Sequence, residues 1–214
     1  MDTICKSIGD FFKIDFPLVY KNNILLAAAY LLLIPVIRGI SNLNTIQSAQ
    51  CFAQSVSIIG ILLIIPIVGP EMEPVVKETV YTKSWPYWKI VLIRTVCSLV
   101  LSALFILIFA YVMRLQNCIF PFWSFSGVTI LYAGFMGTVG LVVSLLSQNI
   151  LTGYFSAFGY WTFCQLQILE EGDHFYFFPI INGKIQDEKV LLLIIVDVFL
   201  FFLSSLKIRS QCFR

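Results

Sequence analysis

Charge is what this chain has least of: among its 214 residues 14 are basic, 12 are acidic and one is histidine, so that charged side chains make up 12% of the whole. Soluble domains carry about 25%, and a chain this poor in charge could not keep its surface in water. The motifs of phosphate and hydrolytic chemistry are missing as well. There is no G-x-x-x-x-G-K-[ST] loop, no H-E-x-x-H and no G-x-S-x-G, so neither a Walker nucleotide site, a zinc-protease helix nor a nucleophile elbow is encoded, and no catalytic residue is assigned. The six cysteines (Cys5, Cys51, Cys97, Cys118, Cys164 and Cys212) show no paired spacing and lie mostly in or beside apolar runs. That argues against a disulfide framework or zinc site, and for thiols packed as small hydrophobes. The one histidine, His174, stands among Glu170, Glu171 and Asp173; a single imidazole beside acids falls short of the ligand set a metal site needs. No metal, cofactor or nucleic acid is expected on the chain itself. The amino-terminal stretch begins with an acid and lacks both an uninterrupted apolar core and a small-residue cleavage site, so no cleavable signal peptide is expected.

Hydrophobic residues supply 59% of the chain, and the mean hydropathy is +0.90. At roughly 20 apolar residues per crossing, the apolar runs predict an all-α integral membrane protein, one transmembrane domain over 1–214, with six transmembrane helices at about 24–40, 48–68, 90–113, 125–146, 150–169 and 190–206. The long run from 125 to 169 has to turn near its middle, and Ser147, Gln148 and Asn149 are the residues that interrupt it. Residues 1–23 mix Phe11, Phe12, Ile14, Phe16, Leu18 and Tyr20 with lysine and aspartate, the pattern of an N-terminal helix lying in the interface. Between the fifth and sixth runs, Phe175, Tyr176, Phe177 and Phe178 suggest a re-entrant outer loop that dips back to the interface. A tail at 207–214 closes the chain.

Basic residues divide unevenly between the two sides. Lys6, Lys13, Lys21, Lys77, Lys83, Lys89, Arg94, Lys207, Arg209 and Arg214 fall on one side, against Arg38, Arg114, Lys184 and Lys189 on the other. The positive-inside rule then places both termini in the cytoplasm, and an even number of crossings agrees. The composition is compatible with a bacterial plasma membrane.

Polar residues inside the apolar runs are the candidates for a site. Gln47, Gln50, Gln54 and Ser57 recur at spacings of three, four and three, which puts them on one face of a helix; such groups face the bundle, a partner helix or a wet cavity rather than lipid. Arg94, Ser98 and Ser102 repeat at every fourth position of the third run, with Arg94 near enough to the end to snorkel. Asp197 lies near the middle of the sixth run, where an acid is costly and needs a partner, a proton or water. Gly134, Gly137 and Gly140 allow a close helix approach in the fourth run.

The loop after the second run is the most distinctive segment. It opens with Glu71-Met72-Glu73 and continues through Glu78, Lys83, Trp85, Pro86, Tyr87, Trp88 and Lys89 into the third run. This resembles the corresponding loop of type-2 ATP-binding-cassette exporter permeases, in which an acidic residue is followed by a short coupling helix and then a proline, aromatic and basic segment. The whole plan resembles that family too, although the chain is short and has no large outer domain. The resemblance implies a permease subunit that is not itself an enzyme. It implies a cytoplasmic ATPase partner holding ATP and Mg²⁺, and a second permease chain, identical or different, completing the substrate pathway for an amphipathic peptide, drug or lipid. It makes Glu78, Lys83, Trp85, Pro86, Tyr87 and Trp88 the ATPase-docking residues, with the aromatic rings as anchors; the same rings also suit the inner interfacial belt. The competing reading is a structural, regulatory or immunity membrane protein that transports nothing.

Overall fold

The computed structural model describes residues 16–69, 87–166, 175–181 and 183–211. The N-terminal segment to residue 15, the loop bearing Glu78, Lys83, Trp85 and Pro86, His174 with its neighbouring acids, and the tail beyond Gln211 lie outside the described residues.

The described chain is built of helices. Helix α1 spans Phe16–Arg38, so residues 16–23, expected within the interfacial segment, continue directly into the first apolar run. The second segment consists of α2 (Thr45–Cys51), a π turn (Phe52–Val56), α3 (Ile58–Ile64) and a 3-10 turn (Ile65–Val68). Then come α4 (Tyr87–Leu115), α5 (Phe122–Ser147), α6 (Ile150–Gln165) and α7 (Asp187–Gln211). A two-residue hairpin, β1 (Ile180–Ile181) with β2 (Lys184–Ile185), precedes α7.

Five of these segments are long and apolar enough to cross a membrane: Val19–Arg38, Thr45–Val68, Trp88–Leu115, Phe122–Ser147 and Asp187–Ile208. The protein is thus of the multi-pass helical type. The remaining expected crossing, the fifth at 150–169, corresponds to α6, which has 16 residues. At about 1.5 Å per residue it measures roughly 24 Å, short of the ~30 Å hydrocarbon core.

Each break has a local cause. Gly39 and Asn42 adopt positive φ (66° and 53°) in the turn after α1, and this loop pairs with the one after α4 through Asn42 N–H to Gln116 O (3.0 Å) and Ile119 N–H to Leu43 O (3.0 Å). Pro66 has no N–H to return to the preceding turn, and the helix tightens into the 3-10 turn that ends the second segment. The run from α5 to α6 reverses at Gln148, which is left-handed (φ 55°), and Asn149 caps α6 by accepting a bond from Leu151 N–H at 2.9 Å.

The second segment and α5 form the interior, whereas only 22% of the α1 window and 17% of the α7 window are buried within the chain. In lipid, helices gain little from apolar burial as such and associate by close packing, which the glycines supply here. A Cβ on Gly60 would lie 1.8 Å from the Ala133 carbonyl oxygen, and one on Gly137 would lie 2.5 Å from Ile64. Gly140 and Gly153 bring α5 and α6 together in the same way, with each one's Cβ position within 3.1 Å of the other's carbonyl oxygen.

Successive helices run antiparallel, giving the bundle two ends. Tyr20, Ile67, Arg94 and Ile208 mark one, the Arg94 end, where Val68, Val91, Leu145 and Ile208 share an apolar cluster. The hairpin marks the other, where Gly183 meets Thr45. There Phe178, 2% exposed, inserts between helices, its ring 5.0 Å from Tyr132, while Phe177 packs 5.0 Å from Phe135. Tyr160 pins this segment by donating to Phe175 O (2.9 Å) and accepting from Phe177 N–H (3.2 Å).

Candidate functional site

The polar residues of the apolar runs divide among three places.

The first is the Arg94 end. Arg94 is 3% exposed, so its guanidinium is covered by protein rather than extended to the interface as snorkelling requires. Its Nη1 donates to Ile67 O at 3.2 Å, placing the cation at the carbonyl end of the second segment, where the helix dipole favours positive charge. Tyr20 of α1 donates to Arg94 O (2.5 Å) and lies 2.9 Å from Ser98 Oγ. Three segments are thereby tied together around one arginine. Ser102, a turn further along, is buried and bonds within its own helix to Leu99 O at 2.9 Å. Tyr87 opens α4, and the exposed Trp88 carries Lys89 Nζ 5.6 Å from its ring centre.

The second is the π turn. Ser57 N–H bonds to Phe52 O at 3.1 Å, an i to i+5 contact that inserts an extra residue into the helical turn. The single face expected of Gln47, Gln50, Gln54 and Ser57 presumes 3.6 residues per turn throughout, and the π turn breaks it: Gln47 and Gln50 are exposed, Gln54 is half-buried and Ser57 is buried. Gln47 serves as a cap, its Oε1 accepting from Asn44 N–H at 3.1 Å. Ser57 bonds back to Ala53 O at 2.5 Å. The widened turn is held from both sides, because Trp161 Nε1 of α6 donates to Gln54 O at 2.8 Å and Tyr30 of α1 donates to Ser55 O at 2.9 Å. Arg38 reaches the Gln54 side chain with its guanidinium.

The third is Asp197 on α7. Its Oδ1 accepts from Thr138 Oγ1 of α5 at 2.9 Å, and Gly134, one turn away, leaves room for Oδ2, which would be 3.3 Å from a Cβ there. The acid therefore faces α5 and has its partner in a threonine, not in Arg94.

These three places are not joined into one cluster. Thr138, Tyr30 and Trp161 are not singled out by the sequence, and Tyr20 is marked there only as an interfacial aromatic, since hydroxyl and indole groups are frequent in membrane helices and nothing local marks the ones that meet a partner. The Asn44-x-x-Gln47 cap did have a signal, an N-cap residue with a glutamine three positions on.

No family model, no curated protein and no solved structure matches this chain.

Proposed function

We propose that the chain is the membrane-spanning permease subunit of an ATP-binding-cassette exporter in a bacterial plasma membrane, with six crossings and both termini cytoplasmic. A separate ATPase holding ATP and Mg²⁺ drives it, and a second permease chain completes the pathway for an amphipathic peptide, drug or lipid. The observation that supports this best is the geometry of the Arg94 end. The second segment leaves the bundle there at Val68, α4 enters it there at Tyr87, and Tyr20 and Ile208 pack beside them. In this reading the Arg94 end is the cytoplasmic one, and Glu78 to Trp88 dock on the ATPase. Arg94 ties that loop's two anchor points to α1, so a push on the loop is felt by three segments at once. Helix α6 counts in this reading as the fifth of the six crossings.

The glycine contacts also bear on the pathway. Gly60, Gly137, Gly140 and Gly153 close the second segment, α5 and α6 against one another, which favours a path between two chains over one through a single chain. Exposed Gln47 and Gln50 are suited to line it. The same close packing also suits the alternative, a structural, regulatory or immunity membrane protein without a pathway.

Two measurements separate them. Native pull-down of the chain recovers an ATPase subunit if the proposal holds, and consistent failure to do so refutes it. Replacing Gln54 and Asp197 by leucine abolishes substrate-stimulated ATPase activity in a transporter and leaves a scaffold unaffected.

A further inference from the structure

Asp197 stands at the midpoint of its crossing, ten residues from Asp187 and eleven from Ile208, or about 15 Å from either end at ~1.5 Å per residue. The side chain is half-buried there, with Thr138 and Gly134 of α5 against it and Leu99 of α4 bordering the same space. Those neighbours carry no charge. Helix α5 has no acidic or basic residue, and its titratable Tyr132 packs toward the hairpin against Phe178. On α4, Arg94 is held at Ile67 O and Lys89 lies near the Trp88 ring, while Tyr111 and Arg114 belong to the far end. Cys97, two residues before Leu99, is on the other side of that helix. On α7 itself Lys189 and Lys207 are eight and ten residues away, at least about 12 Å along the axis. Thr138 Oγ1 meanwhile has one hydrogen and two oxygen neighbours, Phe135 O at 3.0 Å and Asp197 Oδ1 at 2.9 Å. A carbonyl and a carboxylate are both acceptors only. An ionised Asp197 would therefore compete with Phe135 O for that single hydrogen, and a full charge at mid-membrane would rest on a share of one hydrogen bond.

We propose that Asp197 is a proton-binding site: a neutral carboxylic acid whose Oδ1–H donates to Thr138 Oγ1 while the Thr138 hydroxyl donates to Phe135 O. Both short contacts then contain a hydrogen, and no charge is left in the hydrocarbon. The contact between α5 and α7 stands with either oxygen as donor, so the proton sets its direction and charge rather than its geometry. Such a site is also open to covalent modification by a hydrophobic carbodiimide dissolved in the lipid. The carboxyl proton moves to a carbodiimide nitrogen and the carboxyl oxygen bonds to the central carbon. The acyl group then migrates from that oxygen to a nitrogen, leaving an N-acylurea with nothing released. The inference does not depend on the transport proposal, because a scaffold would hold the same acid in the same lipid.

The test is infrared difference spectroscopy of the full chain in phosphatidylcholine liposomes at neutral pH, wild type minus Asp197→Asn. The expected difference is the C=O stretch of a carboxylic acid. That band moves to higher frequency in Thr138→Val, which removes the hydrogen-bond partner, and stays in place in Thr138→Ser, which keeps the hydroxyl. Carboxylate stretches in place of the acid band overturn the proposal, and an acid band unmoved in Thr138→Val overturns the assigned donor. Should Asp197→Asn fail to fold, labelling of the wild-type chain with dicyclohexylcarbodiimide, read by peptide mass spectrometry, decides instead. An adduct on Asp197 that a water-soluble carbodiimide does not form supports the neutral acid. An unlabelled Asp197, or equal labelling by the water-soluble reagent, overturns it.

Discussion

Thr138 and Asp197 meet across the contact between α5 and α7, hydroxyl to carboxylate oxygen at 2.9 Å, with Gly134 making room beside them. A polar pair of this kind in a membrane interior contributes about 0.6 kcal/mol on average and up to about 1.7. Asp197→Asn preserves an acceptor for Thr138 and should leave unfolding in detergent close to wild type. Thr138→Val removes the donor and should lower stability by about 1 kcal/mol. A destabilised Asp197→Asn beside an unaffected Thr138→Val would show that the carboxylate, not the hydrogen bond, sustains the contact.

Glycine substitutions should sort by their surroundings rather than by being glycine. A methyl group on Gly60 collides with the Ala133 backbone at 1.8 Å, whereas positions 127 and 159 have nothing within 4 Å. Gly60→Ala is expected to cost about 1–3 kcal/mol or more, as overpacked cores do. Gly127→Ala and Gly159→Ala should be neutral or slightly stabilising, since alanine is the better helix former. Thermal unfolding of the three variants side by side is the check.

The π turn should weaken when either brace is cut. Tyr30→Phe keeps its ring and deletes only the donor to Ser55 O, and Trp161→Phe keeps a smaller aromatic ring while deleting the donor to Gln54 O. Each loss is expected to cost about 1 kcal/mol, read as a lower denaturation midpoint. Hydrogen exchange at 52–57 should rise in both variants, and unchanged exchange there would mean that the turn holds without them.

Sidedness is open to direct labelling. On a cysteine-free background, Thr82→Cys should react with a membrane-impermeant maleimide only after cells are permeabilised, and Asn42→Cys should react in intact cells. The opposite pattern would place the loop before α4 outside the cell and leave an ATPase nothing to grip.

Covering Arg94 has a measurable consequence too. Tyr20→Phe loses the bonds to Arg94 O and Ser98 and should cost about 1 kcal/mol of stability. If the Arg94 end transmits motion, the same change should uncouple ATP hydrolysis from transport more than it lowers hydrolysis itself.

Hydropathy and helix length are enough to identify the solvent and the approximate places where the chain turns. Apolar runs of membrane length, the break at Ser147 to Asn149 and the aromatic string before α7 are legible because hydropathy, helix rise and the need for a turn act on neighbouring residues. The tertiary structure alone decided which sides of those helices meet. It put the π turn at Phe52–Val56 and so divided the glutamine face; it buried Arg94 and gave Asp197 a threonine. It also selected Gly60 and Gly137 for backbone contact while leaving Gly127 open. The physical reason is that lipid is as apolar as leucine, so hydropathy tells a helix to enter the membrane without telling it which face to turn toward its neighbours. That choice falls to close packing and to a few polar groups seeking partners far away in the chain.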